Sequence, residues 1–205
     1  MTQKIILIDY GLGNHRSVQK AFNRIGIDCA VSNNLLEIIE APKLLLPGVG
    51  HFSNGMAKLR EYKLIEALNE AVLVKKIPIL GICLGMQLMS LFSEEGNENG
   101  LGWINATTRK FNHSVQQLKI PHMGWNNLII NETSQLFKGI TEKDLFYFVH
   151  SYYVNCNNQN DVATKTSYGN TFDSSFQHEN IFGCQFHPEK SHDAGLKILK
   201  NFSNL

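Results

Sequence analysis

The chain has 205 residues, 43% of them hydrophobic, and its 19 basic and 18 acidic side chains give a net charge of +1. This length is sufficient for one domain with a sizeable core. The balanced charge argues against a broad nucleic-acid surface, which needs an excess of Lys and Arg, and against a charged disordered tail. We expect a single domain over residues 1–205, with no internal repeat.

The cysteines and the apolar segments indicate a cytoplasmic protein. The four cysteines are far apart in the sequence, unlike the dense pattern of disulfide-stabilised secreted domains. No secretory signal precedes the first polar residues. The uncharged stretch 77–93 contains Pro78 and Gln87 and is short for a membrane span, so it fits a buried strand followed by a helix better. We therefore expect no membrane association.

The first half of the chain alternates strand and helix patterns. Residues 4–9 form an apolar strand pattern, and Asn14 is suited to cap a helix whose apolar face recurs at i, i+3, i+4 and i+7 up to Ile25. Two short strands follow, at 29–31 and 44–46, and then a long helix over 55–75. A third strand at 77–80 and, after a turn at 81–84, a final helix to about residue 92 complete this half. Strands separated by helices predict parallel pairing through right-handed crossovers, and hence an α/β layered fold.

The second half has a different character, because short strand patterns separated by Gly, Asn and Pro replace the alternation. The predicted strands are 103–111, 126–130, 145–149, 152–155, 162–167, 171–176 and 181–186. A closing helix is predicted from about residue 193 to residue 202. The second half should therefore add further strands to the layered first half.

The most informative segment has the form G-x-C-x-G and lies between a predicted strand and a predicted helix. Gly81 and Gly85 would make room for a sharp turn that projects the Cys83 thiol above the carboxyl ends of the strands, where open α/β sheets bind ligands. The amino terminus of the next helix would favour a thiolate, and the Leu84 amide would face an oxyanion. The alternative interpretation of Cys83 is a small buried residue in a tight turn.

A base and an orienting group for such a thiol follow another apolar strand pattern. His187 would relay the proton, and Glu189 would hold the imidazole in one tautomer, although a His-x-Glu pair on the surface is the alternative. The glycine-rich segment 47–50 could aim N–H groups at a polar substrate or serve only as a flexible connection. A metal site is a weak option, because His187 and His192 stand five residues apart without a ligand cluster.

Six segments together resemble the class I, triad-type glutamine amidotransferases, and among them the glutaminase subunits of imidazole glycerol phosphate synthase. The segments are D-Y-G-L-G-N at 9–14, L-P-G-V-G at 46–50, G-I-C-L-G-M-Q at 81–87, P-H-M-G-W-N at 121–126, Y-F-V-H-S-Y at 147–152 and Q-F-H-P-E-K-S at 185–191. The resemblance covers about residues 5–202. It implies a single domain of this type with three layers: a mostly parallel central sheet, helices on both faces and extra antiparallel strands in the second half.

The resemblance implies a role for individual residues. Cys83 would attack the side-chain amide of L-glutamine and form a glutamyl thioester. His187 would protonate the departing ammonia and then activate water, while Glu189 orients His187. The oxyanion amides would come from Leu84 and, after a rearrangement, from Gly48–Val49. The glutamine-binding positions would be Gly50, Gln87, Ser151 and Tyr152. No cofactor and no metal are implied.

The resemblance also implies a partner, a (β/α)8-barrel cyclase subunit that forms a heterodimer with the glutaminase. Ammonia would pass through the barrel and yield imidazole glycerol phosphate and aminoimidazole carboxamide ribotide in histidine biosynthesis. The interface or hinge positions would be Asn14, Pro121, Met123, Trp125, Asn126, Tyr147 and Lys190. For Trp125 and Tyr147, packing in the core is the alternative.

Several positions depart from the usual pattern of these subunits, and they leave further hypotheses open. The departures are His15, His51, Asn105–Ala106 and His192. His15 and His51 lie near the expected glutamine pocket or interface, so a paralogous subunit that supplies ammonia to another synthase, such as a surface-sugar amidotransferase, is the main alternative. A non-catalytic binding subunit is a third hypothesis, against which the intact Cys83, His187 and Glu189 argue.

Overall fold

The computed structural model describes residues 4–111, 119–131 and 134–205. The strands among them are β1 Ile5–Ile8, β2 Cys29–Ser32, β3 Lys43–Gly48, β4 Ile79–Cys83, β5 Ser90–Ser93, β6 Glu98–Asn99, β7 Ile104–Lys110, β8 His122–Asn126, β9 Ile129–Ile130, β10 Phe146–His150, β11 Tyr152–Cys156, β12 Val162–Tyr168, β13 Asn170–His178 and β14 Ile181–Cys184. The α-helices are α1 His15–Arg24, α2 Leu35–Ile39, α3 Phe52–Glu61, α4 Ile65–Asn69, α5 Leu84–Leu88 and α6 His192–Ser203. In these parts of the chain, no helix has the length and apolar character needed to cross a membrane.

The first half of the main sheet is a parallel block in the order β2-β1-β3-β4-β14. Alternate residues of β1 face opposite layers. Ile5 and Leu7 pack in a cluster with side chains of α1 and α6, whereas Ile6 and Ile8 pack in a cluster with side chains of α3 and α4. Helices therefore cover both faces of the sheet, which confirms the predicted three-layer α/β architecture.

Antiparallel strands extend this block, as predicted for the second half. Beyond β14 the sheet continues through β13, β11 and β7, and β12 pairs with the other edge of β13. β8 and β10 form a separate two-stranded antiparallel sheet in which Trp125 lies opposite Tyr147. Because β4 and β14 are parallel neighbours, the residues that follow them emerge side by side at one edge of the sheet.

The helix predicted over residues 55–75 is wrong in extent. α3 begins earlier, at Phe52, because the His51 side chain accepts a hydrogen bond from the Ser53 amide at 3.3 Å and caps the helix. It ends at Glu61, and Lys63 adopts a φ of +57° that turns the chain before α4 begins. α4 continues into a π-helical turn, Glu70–Val74. The apolar period runs through this break, so it concealed the turn.

The helix predicted to reach about residue 92 is also wrong, since α5 ends at Leu88 and β5 follows. The carbonyl of Leu88 accepts a hydrogen bond from the Leu101 amide at 2.8 Å, and that of Met89 accepts one from the Trp103 amide at 3.0 Å. These carbonyls are therefore bonded by a distant segment, which ends the helix early.

Several boundaries also differ from the prediction. β4 starts and ends later than 77–80, and β3 runs on through Pro47–Gly48 instead of stopping before it. The strand predicted at 126–130 is two strands, β8 and β9, and the strand predicted at 181–186 ends at Cys184. The sequence patterns predicted neither α2 nor β6.

Candidate active site

Cys83 stands at a strained turn between β4 and α5. Its backbone has φ +53° and ψ −110°, a conformation that non-glycine residues rarely adopt and that clusters at functional sites. A Cβ atom at Gly81 would lie 2.7 Å from the Met86 amide nitrogen, and one at Gly85 would overlap the Leu46 carbonyl oxygen. The turn can therefore close only because both glycines lack a side chain. A relaxed packing position for Cys83 would not require this geometry.

His187 and Glu189 follow β14, the parallel neighbour of β4. Nδ1 of His187 donates a hydrogen bond to a Glu189 carboxylate oxygen at 2.8 Å, and the two side chains are only 3% and 2% exposed. Burial lowers the pKa of His187, but the charge of Cys83, the hydrogen bond to Glu189 and the charge of Glu189 outweigh it and raise the pKa to about 10. At neutral pH the imidazole therefore carries a proton that it can transfer to a leaving group.

The backbone of His187 is held by Tyr147 and Ser191. The Ser191 hydroxyl donates to the His187 carbonyl at 2.6 Å and accepts a hydrogen bond from the Tyr147 amide at 3.0 Å. The His187 amide donates in turn to the Tyr147 carbonyl at 2.9 Å. β10 and the loop after β14 are therefore joined directly at the imidazole. The sequence analysis missed this role of Ser191, although Ser191 ends the motif that carries His187.

A cavity of about 320 Å³ opens in front of Cys83. Its lining includes nine of the residues singled out from the sequence: Val49, Gly50, Cys83, Leu84, Gln87, Pro121, Ser151, Tyr152 and His187. Gly48 lies behind this wall and pairs with Cys83 between β3 and β4, and Glu189 contacts His187 from the far side. The structure therefore brings the predicted triad, glutamine-binding and oxyanion positions together around one cavity.

The sequence analysis missed three residues of this lining, Glu95, Val149 and His150. Glu95 bears on a ligand most directly, because a carboxylate in the wall complements an ammonium group. One Glu95 oxygen accepts a hydrogen bond from the Phe52 amide at 2.8 Å, at the start of α3, and this contact fixes the carboxylate. Glu95 lies in a turn without a recognisable motif, so no sequence signal pointed to it.

The predicted partner residues are distributed over four places. Met123 and Trp125 are 62% and 44% exposed, so Trp125 does not pack in the core. Nζ of Lys190 lies 5.6 Å from the centre of the Tyr147 ring, which faces Trp125 across the β8–β10 pair at 5.8 Å. We call the surface formed by Met123, Trp125, Tyr147 and Lys190 the β8–β10 face. Pro121 lines the cavity, Asn126 ends β8, and Asn14 caps α1 by accepting a hydrogen bond from the Ser17 amide at 3.2 Å.

The positions that depart from the usual pattern have structural roles outside the cavity lining. His51 caps α3, and Nδ1 of His15 lies 3.9 Å from an Asp9 carboxylate oxygen. His192 has a φ of +48° and stacks on Trp125, with ring centres 4.9 Å apart and planes at 3°. Asn105 accepts a hydrogen bond from the Asn157 side chain at 2.7 Å, and its neighbour Ala106 is fully buried.

No cluster of three or more His, Cys, Asp or Glu side chains suited to a metal ion occurs within residues 4–111, 119–131 and 134–205. Nδ1 of His187 is engaged in the hydrogen bond to the Glu189 carboxylate.

Comparisons with known proteins place the chain in a family. The sequence model of the family "Glutamine amidotransferase class-I" matches residues 6–204. The chain is 51% identical over 205 residues to the imidazole glycerol phosphate synthase subunit HisH 1 of Campylobacter jejuni, covering 98% of this chain and 100% of that one. It is 48% identical over 198 residues to subunit HisH 2 of Methanococcus maripaludis, covering 97% of this chain and 98% of that one.

Solved structures agree on the fold. A putative GMP synthase protein from Thermoplasma acidophilum superposes with a TM-score of 0.75 at 20% identity, covering 100% of this chain and 94% of that one. PurLQS from Thermotoga maritima gives a TM-score of 0.74 at 19% identity, covering 100% of this chain and 99% of that one. The curated relatives do not favour the alternative of a subunit serving another synthase. The chain belongs to the class-I glutamine amidotransferase family, in the group of the imidazole glycerol phosphate synthase HisH subunits.

Proposed function

We propose that this chain is the glutaminase subunit of an imidazole glycerol phosphate synthase, which hydrolyses L-glutamine and passes the ammonia to a cyclase partner. The observation that carries the proposal is the cavity with Cys83 beside His187, whose imidazole donates to Glu189 at 2.8 Å. Whole-length similarity to HisH subunits supports the pathway. A cytoplasmic location belongs to the same proposal and is supported by four cysteines that form no disulfides.

Glutamine would bind with its amino-acid end away from the sulfur. The Glu95 carboxylate complements the α-ammonium group, and the backbones of Gly50, Ser151 and Tyr152 offer polar groups to the rest of the ligand. Both N–H groups of the Gln87 amide are used inside the protein, by Tyr152 and Gln185, so its oxygen is the atom left to meet the ligand. This orientation would point the side-chain amide of glutamine at Cys83.

In the acylation step, the Cys83 sulfur attacks the amide carbon and the carbonyl oxygen becomes an oxyanion. The Leu84 amide, at the start of α5, and an amide of Gly48–Val49 after a rearrangement would stabilise that charge. His187 then gives its proton to the leaving nitrogen. The C–N bond breaks, ammonia departs, and a glutamyl thioester remains on Cys83.

In the deacylation step, His187 is neutral and acts as a base. It removes a proton from a water molecule that attacks the thioester, the C–S bond breaks, and glutamate leaves. Glu189 keeps Nδ1 of His187 protonated throughout and stabilises the imidazolium that forms in each step. One glutamine and one water thus give one glutamate and one ammonia, with the enzyme unchanged.

The partner in this proposal is a (β/α)8-barrel cyclase subunit that docks on the β8–β10 face. This face is exposed and rich in aromatic and methionine side chains, the composition that protein interfaces favour. Its strand β10 also holds the His187 backbone, so a partner seated there adjoins the active site. Asn14, Pro121 and Asn126 are proposed as further contacts of the interface or its hinge.

The proposal is tested with the complex of this chain and a barrel cyclase subunit. The variant Cys83→Ala should lose glutamine-dependent product formation and keep ammonia-dependent formation, because only the thiol is removed. The variant Cys29→Ala, at a buried cysteine of β2 outside the cavity, serves as the matched control and should keep both activities. Glutamine turnover by Cys83→Ala would refute the mechanism. Capture of a surface-sugar synthase in place of the cyclase would refute the histidine pathway.

A further inference from the structure

Gln185 contacts the sulfur of Cys83 and has no part in the reaction described above. It follows β14 and is fully buried. Its amide nitrogen donates to the Cys83 sulfur at 3.7 Å, and its amide oxygen accepts a hydrogen bond from the Gln87 amide nitrogen at 3.0 Å. When protonated, the thiol can also donate to the Val149 carbonyl at 4.0 Å. The sulfur therefore lies between a donor and an acceptor that define its direction.

The orientation of the Gln185 amide follows from its partners. The second N–H of Gln87 donates to the Tyr152 carbonyl at 2.9 Å, and a carbonyl can only accept. The Gln87 nitrogen therefore faces inward, toward both Tyr152 and Gln185. If the Gln185 amide were flipped, two nitrogen donors would oppose each other and an oxygen would face the sulfur. The N–H of Gln185 must therefore point at Cys83.

A buried histidine, itself bonded to a second one, donates to the same Tyr152 carbonyl. Nδ1 of His150 donates to it at 2.8 Å, so Nε2 of His150 is the acceptor of a hydrogen bond from Nδ1 of His122 at 3.0 Å. Desolvation lowers the pKa of His150 to about 3 and that of His122 to about 4, so both rings are neutral with one donor and one acceptor each. On β8, the Asn126 amide nitrogen lies 3.5 Å from the acceptor nitrogen of His122.

We propose that Gln185 is a positioning residue for the nucleophile: its fixed amide N–H holds the Cys83 sulfur in the direction from which it attacks glutamine. The inference rests on the proposed function, since it takes Cys83 as the nucleophile. The contact is made before the substrate arrives and is supported by Gln87, Tyr152 and the two histidines. Gln185 touches no part of the substrate in this arrangement. Its removal should therefore lower kcat and leave KM for glutamine nearly unchanged.

Two variants of Gln185 test the inference in the complex with the cyclase subunit. Gln185→Glu preserves the shape and the oxygen that accepts from Gln87, but it places a second oxygen against the sulfur. Gln185→Leu removes both hydrogen bonds at similar volume. We expect kcat for glutamine to fall about 10- to 100-fold in both variants, with KM within about threefold. The labelling of Cys83 by iodoacetamide should slow to a similar extent.

Gln177→Leu is the matched control, because the Gln177 amide accepts a hydrogen bond from the Ser134 hydroxyl at 2.7 Å, outside the cavity lining. This variant should keep kcat and the labelling rate. Co-elution of each variant with the cyclase subunit in gel filtration reports that each complex is assembled and folded. If one Gln185 variant fails to fold, the other decides.

A folded Gln185 variant with kcat within about twofold of the unmodified complex would overturn the inference, as would a raised KM at unchanged kcat. Either result would leave the proposed function standing. Glutamine turnover by Cys83→Ala would instead refute the proposed function itself.

Discussion

The buried wall behind the cavity, which carries His187 and Glu189, and the exposed β8–β10 face are built from different contacts. In the wall, His187 and Glu189 are almost fully buried and joined by a hydrogen bond of 2.8 Å. On the β8–β10 face, Met123 and Trp125 remain largely exposed, and Trp125 is held by ring stacking on His192. The wall is organised before a ligand arrives, as electrostatic catalysis requires, whereas the face keeps apolar area available for a partner. Chemistry and partner choice should therefore be separable by mutation.

The two regions meet at Tyr147. Its ring belongs to the β8–β10 face, beneath Lys190, while its backbone bonds to His187 and Ser191. A variant at this junction should affect both regions, and variants away from it should affect only one. The predictions below test that division.

The largest expected effect is loss of the acid–base group in the wall. His187→Gln should lower the rate of glutamine hydrolysis about 10²- to 10⁴-fold, because it removes the group that protonates the leaving nitrogen. The Kd for the cyclase subunit should stay the same, which a binding titration measures. His178→Gln is the control, since His178 also bonds to a carboxylate, that of Asp161, at 3.0 Å. Partner binding that collapsed with His187→Gln would show that the regions are not separable.

The next effect concerns the β8–β10 face. Trp125→Ala removes the large exposed ring and should raise the Kd for the cyclase about 30-fold, as expected for an interface residue worth about 2 kcal/mol. At saturating partner, the rate of glutamine hydrolysis should be unchanged. Leu36→Ala, at a residue 69% exposed on α2, provides the control and should leave the Kd as it is. Equal affinities for the two variants would place the interface elsewhere.

The junction should give a smaller effect on both regions. Ser191→Ala breaks the contacts of its hydroxyl with His187 and Tyr147, each of which would then lose a partner. We expect hydrolysis to fall about tenfold, the Kd for the cyclase subunit to rise slightly, and the free energy of unfolding to fall by about 1–2 kcal/mol. Ser203→Ala, which removes another buried hydroxyl bonded to the Lys200 carbonyl at 2.7 Å, should affect stability alone. Normal hydrolysis by Ser191→Ala would argue against control of the His187 position by β10.

The smallest effect is the pH dependence of stability. His122 and His150 have pKa values lowered to about 4 and about 3, so their contribution is present above the unfolded pKa near 6.5 and is lost as the pH falls toward those values. His187 acts in the opposite sense: its pKa is raised to about 10, so its contribution grows as the pH falls through the unfolded value near 6.5 and offsets about half of that loss between pH 7 and pH 6. The free energy of unfolding should therefore fall by about 0.7 kcal/mol between pH 7 and pH 6.

Denaturant unfolding at the two pH values measures this effect. The variant His122→Phe keeps a ring that can stack on Phe148 and Tyr168 but cannot titrate. Its free energy of unfolding should therefore be nearly the same at pH 7 and pH 6, because the opposing effects of His150 and His187 then cancel. An unchanged slope in this variant would contradict a buried neutral role for His122.

The sequence predicted the parts of the site that depend on local pattern and strand order. G-x-C-x-G and F-H-P-E each follow an apolar strand, and the structure makes those strands parallel neighbours. Glu95 was missed because a turn brings it to the cavity, and no spacing records such a contact. The end of α5 at Leu88 was missed for the same reason, since distant amides bond to the following carbonyls. Long-range hydrogen bonds were therefore the main source of error.

The central claim is that Cys83 is the nucleophile, and covalent labelling with a glutamine-analogue electrophile tests it most directly. The other three cysteines are also buried, and burial raises the pKa of Cys29 to about 12 and raises those of Cys156 and Cys184. With the cyclase subunit present, peptide mass spectrometry should find one label, on Cys83, and excess glutamine should prevent it. A label on another residue, or none on Cys83 in an assembled complex, would contradict the account.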